Sequence, residues 1–160
     1  MPSNLTSDLH TDTLRTNGAC LCGQITYEIL GDPKFSALCH CDNCKRSSGS
    51  AFAWNHAFAA ESVRLITGQH LLKTYEDTAT KRGSRIQRKF CSNCGSPLII
   101  IQPARPALIV INSGGVIGDV SEMWKPTMEV FCKNKAKWLP DMGNKCFVEV
   151  LTDPVVDAEH

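Results

Sequence analysis

Seven of the nine cysteines fall into three short motifs whose spacing suits metal binding. The motifs are Cys20-Leu21-Cys22-Gly23, then Cys39-His40-Cys41-Asp42-Asn43-Cys44, and then Cys91-Ser92-Asn93-Cys94-Gly95. Two cysteines in such a motif can point their thiolates at one zinc ion, and a following glycine allows the chain to turn tightly. In a reducing compartment clustered cysteines are metal ligands more often than disulfide partners, so the sequence predicts zinc.

Counting ligands divides these cysteines into two groups. A tetrahedral zinc has four protein ligands in a structural site and three in a catalytic site, where one position stays open. The first and third motifs together supply a four-cysteine group, which consists of Cys20, Cys22, Cys91 and Cys94. The middle motif supplies a three-cysteine group, which consists of Cys39, Cys41 and Cys44. We expect two zinc ions per chain, one that braces the fold and one with an open position.

Three other arrangements are compatible with this spacing. The cysteines could form disulfides, or they could be divided differently between the two ions. Both ions could also be structural, with His40 or His56 as the fourth ligand beside the middle motif, because histidine is a common zinc ligand. Cys132 and Cys146 lie in apolar segments and are predicted to be small core residues.

Composition indicates one globular domain. The chain has 160 residues, of which 42% are hydrophobic, and its 17 basic residues nearly balance its 16 acidic ones. We expect a flexible tail over residues 1–16, a single zinc-binding domain over 17–152 and a second tail over 153–160. The charge balance argues against nucleic acid as a partner, and no segment resembles a signal peptide or a membrane span. A cytoplasmic protein is predicted, and a homo-oligomer is compatible with the sequence.

Hydrophobic alternation predicts an all-β fold with few or no helices. Gln24–Leu30 alternates between apolar and polar residues, and Ala51–Phe58 places its aromatic residues on one face. Helical periodicity is weak, and at most a turn or two fits near Asn134–Trp138. The cysteine motif within Ala37–Cys44 is predicted to be a loop. Further strand candidates are Val63–Ile66, Leu71–Tyr75, Ile86–Phe90, Pro97–Gln102, Ala107–Asn112, Met128–Cys132 and Cys146–Thr152.

The three motifs and their flanks resemble the glutathione-dependent formaldehyde-activating enzyme family, which shares its domain with centromere protein V. The matching segments are Gly18–Gly23, Cys39–Arg46 with Gly49, and Phe90–Leu98, and the resemblance extends to about Trp138. It implies a tent-like, zinc-stabilised β-sheet fold with a structural zinc on the four-cysteine group. It also implies a functional zinc on the three-cysteine group, with the free position near the substrate thiol.

One departure from the family pattern concerns the substrate. Formaldehyde-activating members often carry a His-Ile-Phe segment before a late tryptophan, and the corresponding stretch here is Met128-Glu129-Val130-Phe131, ahead of Trp138. The histidine is missing, so formaldehyde itself does not follow from the resemblance. Fold membership alone does not fix the reaction.

Charge counting indicates the chemistry of the three-cysteine group. Three thiolates on Zn²⁺ leave a net charge of about −1, which makes a soft site suited to binding an incoming thiol as thiolate. We expect a carbon–sulfur lyase in which glutathione or another small thiol adds to, or leaves, a small carbonyl or imine carbon. Two alternatives are a zinc-stabilised module that binds protein or nucleic acid without catalysis, and a metal or redox sensor that uses Cys132 or Cys146.

Several other side chains are candidates for the site. His56 is a candidate acid or base because histidine titrates near neutral pH. Lys45, Arg46 and Trp54 are candidates for substrate binding, and Asp42 could orient a ligand. A basic run could receive the carboxylates of glutathione, although a solvated strand face is the favoured interpretation. The run consists of Lys81, Arg82, Arg85, Arg88 and Lys89.

Overall fold

The computed structural model of the protein describes residues 14–80 and 83–149. Within these ranges the chain forms eleven β-strands and one short α-helix, which confirms the predicted all-β class. The strands are β1 (Arg15–Ala19), β2 (Thr26–Leu30), β3 (Phe35–Cys39), β4 (Ala53–Ala59), β5 (Val63–Thr67), β6 (Leu72–Asp77), β7 (Ile86–Cys91), β8 (Pro97–Ile101), β9 (Leu108–Asn112), β10 (Met128–Val130) and β11 (Lys145–Phe147). The helix is α1 (Asp42–Ser48), and 3₁₀ turns occupy Ala60–Ser62, Gln69–Leu71, Ser113–Gly115 and Cys132–Asn134. In this described part, no helix is both long enough and apolar enough to cross a membrane.

The strands form two sheets that enclose the main core. The small sheet is antiparallel in the order β1-β2-β5, and the large sheet has the order β11-β10-β3-β4-β9-β8-β7-β6. The predicted alternation places Ile25, Tyr27 and Ile29 in the core, where each is fully buried. Phe58 and Ile111 of the large sheet belong to the same apolar cluster. The small sheet therefore packs against one face of the large one.

The opposite face of the large sheet carries α1, and we call it the α1 face. Residues directly opposite on paired strands point to the same side of a sheet. Cys39 lies opposite Ala53, Asn55 opposite Asn112, and Arg88 opposite Ile100. Following this register across the sheet places Cys39, Ala53, Asn55, Asn112 and Arg88 on the α1 face. Trp54, His56 and Phe58 alternate with Ala53 and Asn55, so they point into the main core.

Gly18 allows the small sheet to close over Tyr27. A Cβ atom at this position would lie 2.0 Å from Cζ of the Tyr27 ring, which is far inside contact distance. The ring therefore crosses directly over the backbone of β1, and the absence of a side chain at Gly18 is what permits this packing.

The structure differs from the sequence prediction at two elements near the middle motif. Phe35–Cys39 is a strand and Asp42–Ser48 is a helix, whereas the sequence predicts a loop over Ala37–Cys44. The helix is too short for hydrophobic periodicity to reveal it. Its ends are fixed locally instead, because Cys41 caps the N-terminus and Gly49, with a φ of 63°, ends it in the left-handed conformation.

The chain ends also differ from the expected boundaries. β1 begins at Arg15, inside the segment predicted as tail, and the 3₁₀ turn at Cys132–Asn134 lies just before the predicted helical turn. Residues 1–13 of the predicted first tail, the end of the last strand candidate and the predicted tail over 153–160 lie outside the described residues.

Cys132 and Cys146 form a disulfide bond with each other, so their assignment as ordinary core cysteines is wrong. The parallel pairing of β10 with β11 places Glu129 opposite Cys146, and Cys132 begins the 3₁₀ turn that follows β10. The two Cα atoms lie 6.1 Å apart, a separation that a disulfide spans readily. Sequence spacing could not reveal this pair because strand pairing brings the two cysteines together.

Candidate metal centres

The four-cysteine group lies where two turns meet at one end of the molecule. Cys20 follows β1 and Cys91 ends β7, and both are buried, whereas Cys22 is exposed. All four Sγ atoms lie within 4.8 Å of one another, with 3.4 Å between Cys20 and Cys22 and 3.9 Å between Cys22 and Cys91. Tetrahedral zinc with bonds of about 2.3 Å requires sulfur separations of about 3.8 Å. This group therefore has the number, type and spacing of ligands that a structural zinc needs.

Hydrogen bonds support these sulfurs as ligands. The backbone N–H of Ile25 donates to Cys20 Sγ over 3.3 Å, and Cys94 Sγ lies 3.2 Å from Ser96 Oγ. Contacts with the side chain and backbone of Ser96 lower the pKa of Cys94 to about 5. Burial raises the pKa of Cys91 to about 11. A divalent cation bound here would deprotonate all four thiols.

The three-cysteine group lies at the junction of β3 and α1. Cys39 ends the strand, Cys41 caps the helix, and Cys44 sits in its first turn, so that all three Sγ atoms lie within 4.8 Å of one another. The N–H of Cys44 donates to Cys41 Sγ over 3.3 Å. Cys39 and Cys44 are buried and Cys41 is partly exposed, so any approach to this group passes the Cys41 side.

The electrostatics of the three-cysteine group favour a bound cation. Hydrogen bonds from the thiols of Cys39 and Cys44 lower the pKa of Cys41 to about 2. The same contacts, together with burial, hold the pKa of Cys39 far above its usual range. Three thiols in such close contact resist being ionised together, as expected for like charges. Three thiolates at this spacing require a positive ion between them, which suits Zn²⁺ bound to sulfur.

Across residues 14–80 and 83–149, no histidine, aspartate, glutamate or further cysteine has a ligand atom within 4.8 Å of all three sulfurs. His40 follows Cys39 but points to the other side of β3, where its Nε2 lies 2.6 Å from Glu129 Oε2. Nδ1 of His56 lies 2.8 Å from Ser36 Oγ on the core side of the sheet. Both histidines considered as a fourth ligand therefore point away from the group.

Glu129 is a buried residue whose surroundings no sequence motif indicates. It lies in the Met128–Phe131 stretch that departs from the family pattern, and it is 1% exposed. Its carboxylate meets His40 and also Lys135, whose Nζ lies 3.0 Å from Oε2. The available signal was an acidic residue between two apolar ones in a strand candidate. This carboxylate holds the side chain of His40, the residue that follows Cys39.

Arg88 reaches the three-cysteine group from β7, and we name its polar contacts the Arg88 network. The network consists of Asn43, Cys44, Ser47, Asp77 and Arg88. Nε of Arg88 donates to Asp77 over 2.8 Å, and Nη1 lies 3.9 Å from Cys44 Sγ and 3.4 Å from Ser47 Oγ. Nδ2 of Asn43 lies 3.0 Å from both oxygens of Asp77. The side chain of Arg88 is 12% exposed, so the interpretation of the basic run as a solvated strand face is wrong for Arg88.

The other members of the basic run lie away from this contact. Nε of Arg85 lies 3.7 Å from Glu76, and Lys89 Nζ donates to Thr74. Lys81 and Arg82 lie outside the described residues. Only one guanidinium of the described part of the run is therefore directed at a cysteine.

The remaining predicted site residues have different surroundings. His56 is fully buried among aromatic rings, with centroids 5.1 Å from both Trp54 and Trp124, and burial lowers its pKa to about 4. Lys45 Nζ contacts Asp42 at 3.2 Å and donates to the carbonyl of Asn134. Arg46 is exposed. His56 and Trp54 thus belong to the core side of β4, whereas Lys45 holds α1 against the turn after β10.

Two clefts lie beside the metal centres. The smaller, with a volume of about 170 Å³, is lined by Ser47, Tyr75, Arg88 and Asn112 on the α1 face. The larger, of about 570 Å³, runs from Cys20 and Leu21 towards Phe52 and Trp54. Asn112 and Pro97 line both clefts. A molecule in the smaller cleft would lie next to the Arg88 network.

Comparisons with known proteins agree with this architecture. A 20% identical crystal structure of a Rhodobacter sphaeroides protein superposes with a TM-score of 0.52, covering 64% of this chain and 89% of that one, and shows the shared fold. A Halomonas elongata protein named "Putative glutathione-dependent formaldehyde-activating enzyme" is 23% identical over 124 residues, or 76% of this chain and 78% of its own. The family model for the glutathione-dependent formaldehyde-activating enzyme matches residues 15–134. The chain therefore belongs to the glutathione-dependent formaldehyde-activating enzyme family.

Proposed function

We propose that the protein is a zinc-dependent carbon–sulfur lyase that adds a small thiol to a carbonyl or imine carbon, or eliminates it. Family membership supports a glutathione-related activity, and glutathione is the thiol we propose. The observation that carries the proposal is the three-cysteine group, where three thiols converge and no fourth side-chain ligand joins them among residues 14–80 and 83–149. A zinc site with three protein ligands keeps a position for a substrate.

The role of each group follows from its position. The four-cysteine group would hold a structural zinc that ties β1 to β7, and the three-cysteine group would hold the functional one. When bound there, zinc supplies a positive centre that takes an incoming thiol as its thiolate. Cys41 is the partly exposed member, so the thiol would approach from its side.

The smaller cleft offers hydrogen-bonding groups to a small polar substrate. Ser47 and Asn112 line the smaller cleft with neutral hydrogen-bonding groups, and Arg88, which is paired with Asp77, lies at its wall. A thiol bound at the three-cysteine group and an electrophile held in this neighbouring cleft would be brought together, and such positioning lowers the barrier of a bimolecular reaction. The electrophile is proposed to be a small carbonyl or imine compound, because the cleft of about 170 Å³ is narrow.

Paired serine substitutions in the two cysteine groups test this proposal. Cys41→Ser should remove thiol-dependent turnover and leave the protein folded, since Cys41 is only partly buried and a serine at this position can still cap α1. Cys91→Ser should lower the melting temperature strongly, because it removes a fully buried ligand of the four-cysteine group. Turnover would be followed as glutathione-dependent loss of small aldehydes, and zinc content would be measured in each variant.

Ligand binding gives a second readout on the same variants. A thiol that binds only the native state stabilises it and so raises the melting temperature. At a thiol concentration one hundred times the dissociation constant, the stabilisation is about 2.7 kcal/mol. Glutathione should stabilise the wild-type protein and leave the Cys41→Ser variant unchanged. Equal loss of folding in both variants, or equal stabilisation of both by glutathione, would contradict the separate roles of the two groups.

A cytoplasmic location stays a prediction.

A further inference from the structure

We propose that Arg88 is a positioning residue for the three-cysteine group. It directs an N–H at Cys44, which fixes the direction of this thiolate and tunes its binding to a metal. The inference rests on the proposed metal site but assigns a role to a residue outside the cysteine motifs. Arg88 lies in β7, far from α1 in sequence, and sheet pairing places it beneath the helix.

The first step is the fixed orientation of the guanidinium. Asp77 accepts from Nε over 2.8 Å and is itself held by the amide of Asn43. Because the guanidinium is planar and rigid, holding Nε on Asp77 fixes the directions of the other N–H groups. Nη1 is thereby turned towards Cys44 Sγ at 3.9 Å, the long end of an N–H···S contact, and towards Ser47 Oγ. A lysine ammonium could satisfy Asp77 without keeping this direction.

The second step is that the contact supplies an oriented N–H donor and no net charge. Asp77 balances the charge of Arg88, so the ion pair adds no net charge to the site. What reaches the sulfur is an oriented donor, whose N–H side faces Cys44 while the carboxylate lies behind it. Such outer partners orient metal ligands and tune the metal, and their removal typically lowers metal affinity or activity by about 10- to 100-fold.

The third step is the closure of the network on α1. Asn43 and Cys44 are consecutive, and one contacts Asp77 while the other faces Arg88. The helix is thus held against β6 and β7 through the same residues that border the ligand. An exposed arginine on a solvated strand would make no such contacts, and Arg85, which is 65% exposed, provides that comparison in the same strand region.

Cobalt(II) titration of the metal-free protein tests the assignment with the metal alone as probe. Wild type should bind two cobalt ions, with sulfur-to-cobalt charge-transfer absorption from both groups. Arg88→Gln should weaken the second ion by about 10- to 100-fold and shift its charge-transfer band, while the first ion binds as in wild type. Arg88→Lys should give an intermediate affinity and a shifted band, because it keeps a cation and loses the fixed fork. Arg85→Gln is the matched control and should titrate like wild type.

Two outcomes with the Arg88 variants overturn the inference. One is an Arg88→Gln protein whose second cobalt ion binds and absorbs as in wild type. The other is equal weakening of both cobalt ions in Arg88→Gln and Arg88→Lys, accompanied by a lowered melting temperature, which would mean a general role in folding. A wild-type protein that binds both ions but ignores thiols would remove the proposed lyase function and leave the Arg88 assignment intact. Binding of one cobalt ion only by wild type would overturn both.

Discussion

Replacing the Cys132–Cys146 disulfide by two serines should destabilise the protein by about 3 kcal/mol. The two cysteines are 14 residues apart in sequence, and closing a loop of about 15 residues in the unfolded chain corresponds to about 3 kcal/mol at 25 °C. For a domain of this size, each kcal/mol lowers the melting temperature by about 2–4 °C, so the expected loss is about 6–12 °C. The bond ties β11 to the 3₁₀ turn after β10, and Lys45 connects that turn to α1.

The assay combines thiol counting with thermal melts at constant zinc. Denatured, metal-stripped protein that has not been reduced should alkylate at seven cysteines, and at nine after reduction. A reductant should lower the melting temperature of the wild type and leave that of the Cys132→Ser/Cys146→Ser double variant unchanged. Nine alkylated cysteines before reduction, or equal melting temperatures for wild type and variant, would refute the reasoning.

Two further predictions concern the core. Gly18→Ala should destabilise the protein by about 1–3 kcal/mol in urea unfolding, because the new methyl group would meet the Tyr27 ring. Gly114→Ala is the control and should be close to neutral, because a Cβ at Gly114 meets nothing within 4 Å. The free energy of unfolding should also fall by about 2 kcal/mol between pH 7 and pH 5. Burial lowers the pKa of His56 to about 4, so in this range the unfolded chain binds a proton at His56 and the folded chain does not. His56→Gln should flatten this dependence, and an unchanged slope would contradict it.

The parts of the fold that the sequence could predict are those with a local pattern. Alternation identified Ile25, Tyr27 and Ile29 as one buried face because strand periodicity is set by the backbone itself. Ligand counting grouped the seven cysteines as the structure does, because four and three are the only numbers that match a closed and an open zinc site. These inferences needed no knowledge of which strands pair.

The parts that could not be predicted depend on pairing across the sheet. Arg88 looked like one member of an exposed basic run. Only the pairing of β6 with β7 and the position of α1 against them reveal its contact with Cys44. The same is true of Cys132 and Cys146, which become neighbours through the parallel pairing of β10 and β11. Burial of Glu129 against His40 also depends on the pairing of β10 with β3.

X-ray absorption at the zinc edge tests most directly whether the seven sulfurs form one complete and one incomplete cage. Four and three sulfurs on two ions average 3.5 per zinc in the fully loaded protein. Saturation with glutathione should raise the average to four, and a selenol analogue should instead add a zinc–selenium shell of about one half atom per zinc. An imidazole signal from a histidine on either ion, or a spectrum that neither thiol nor selenol alters, would contradict the open three-cysteine site.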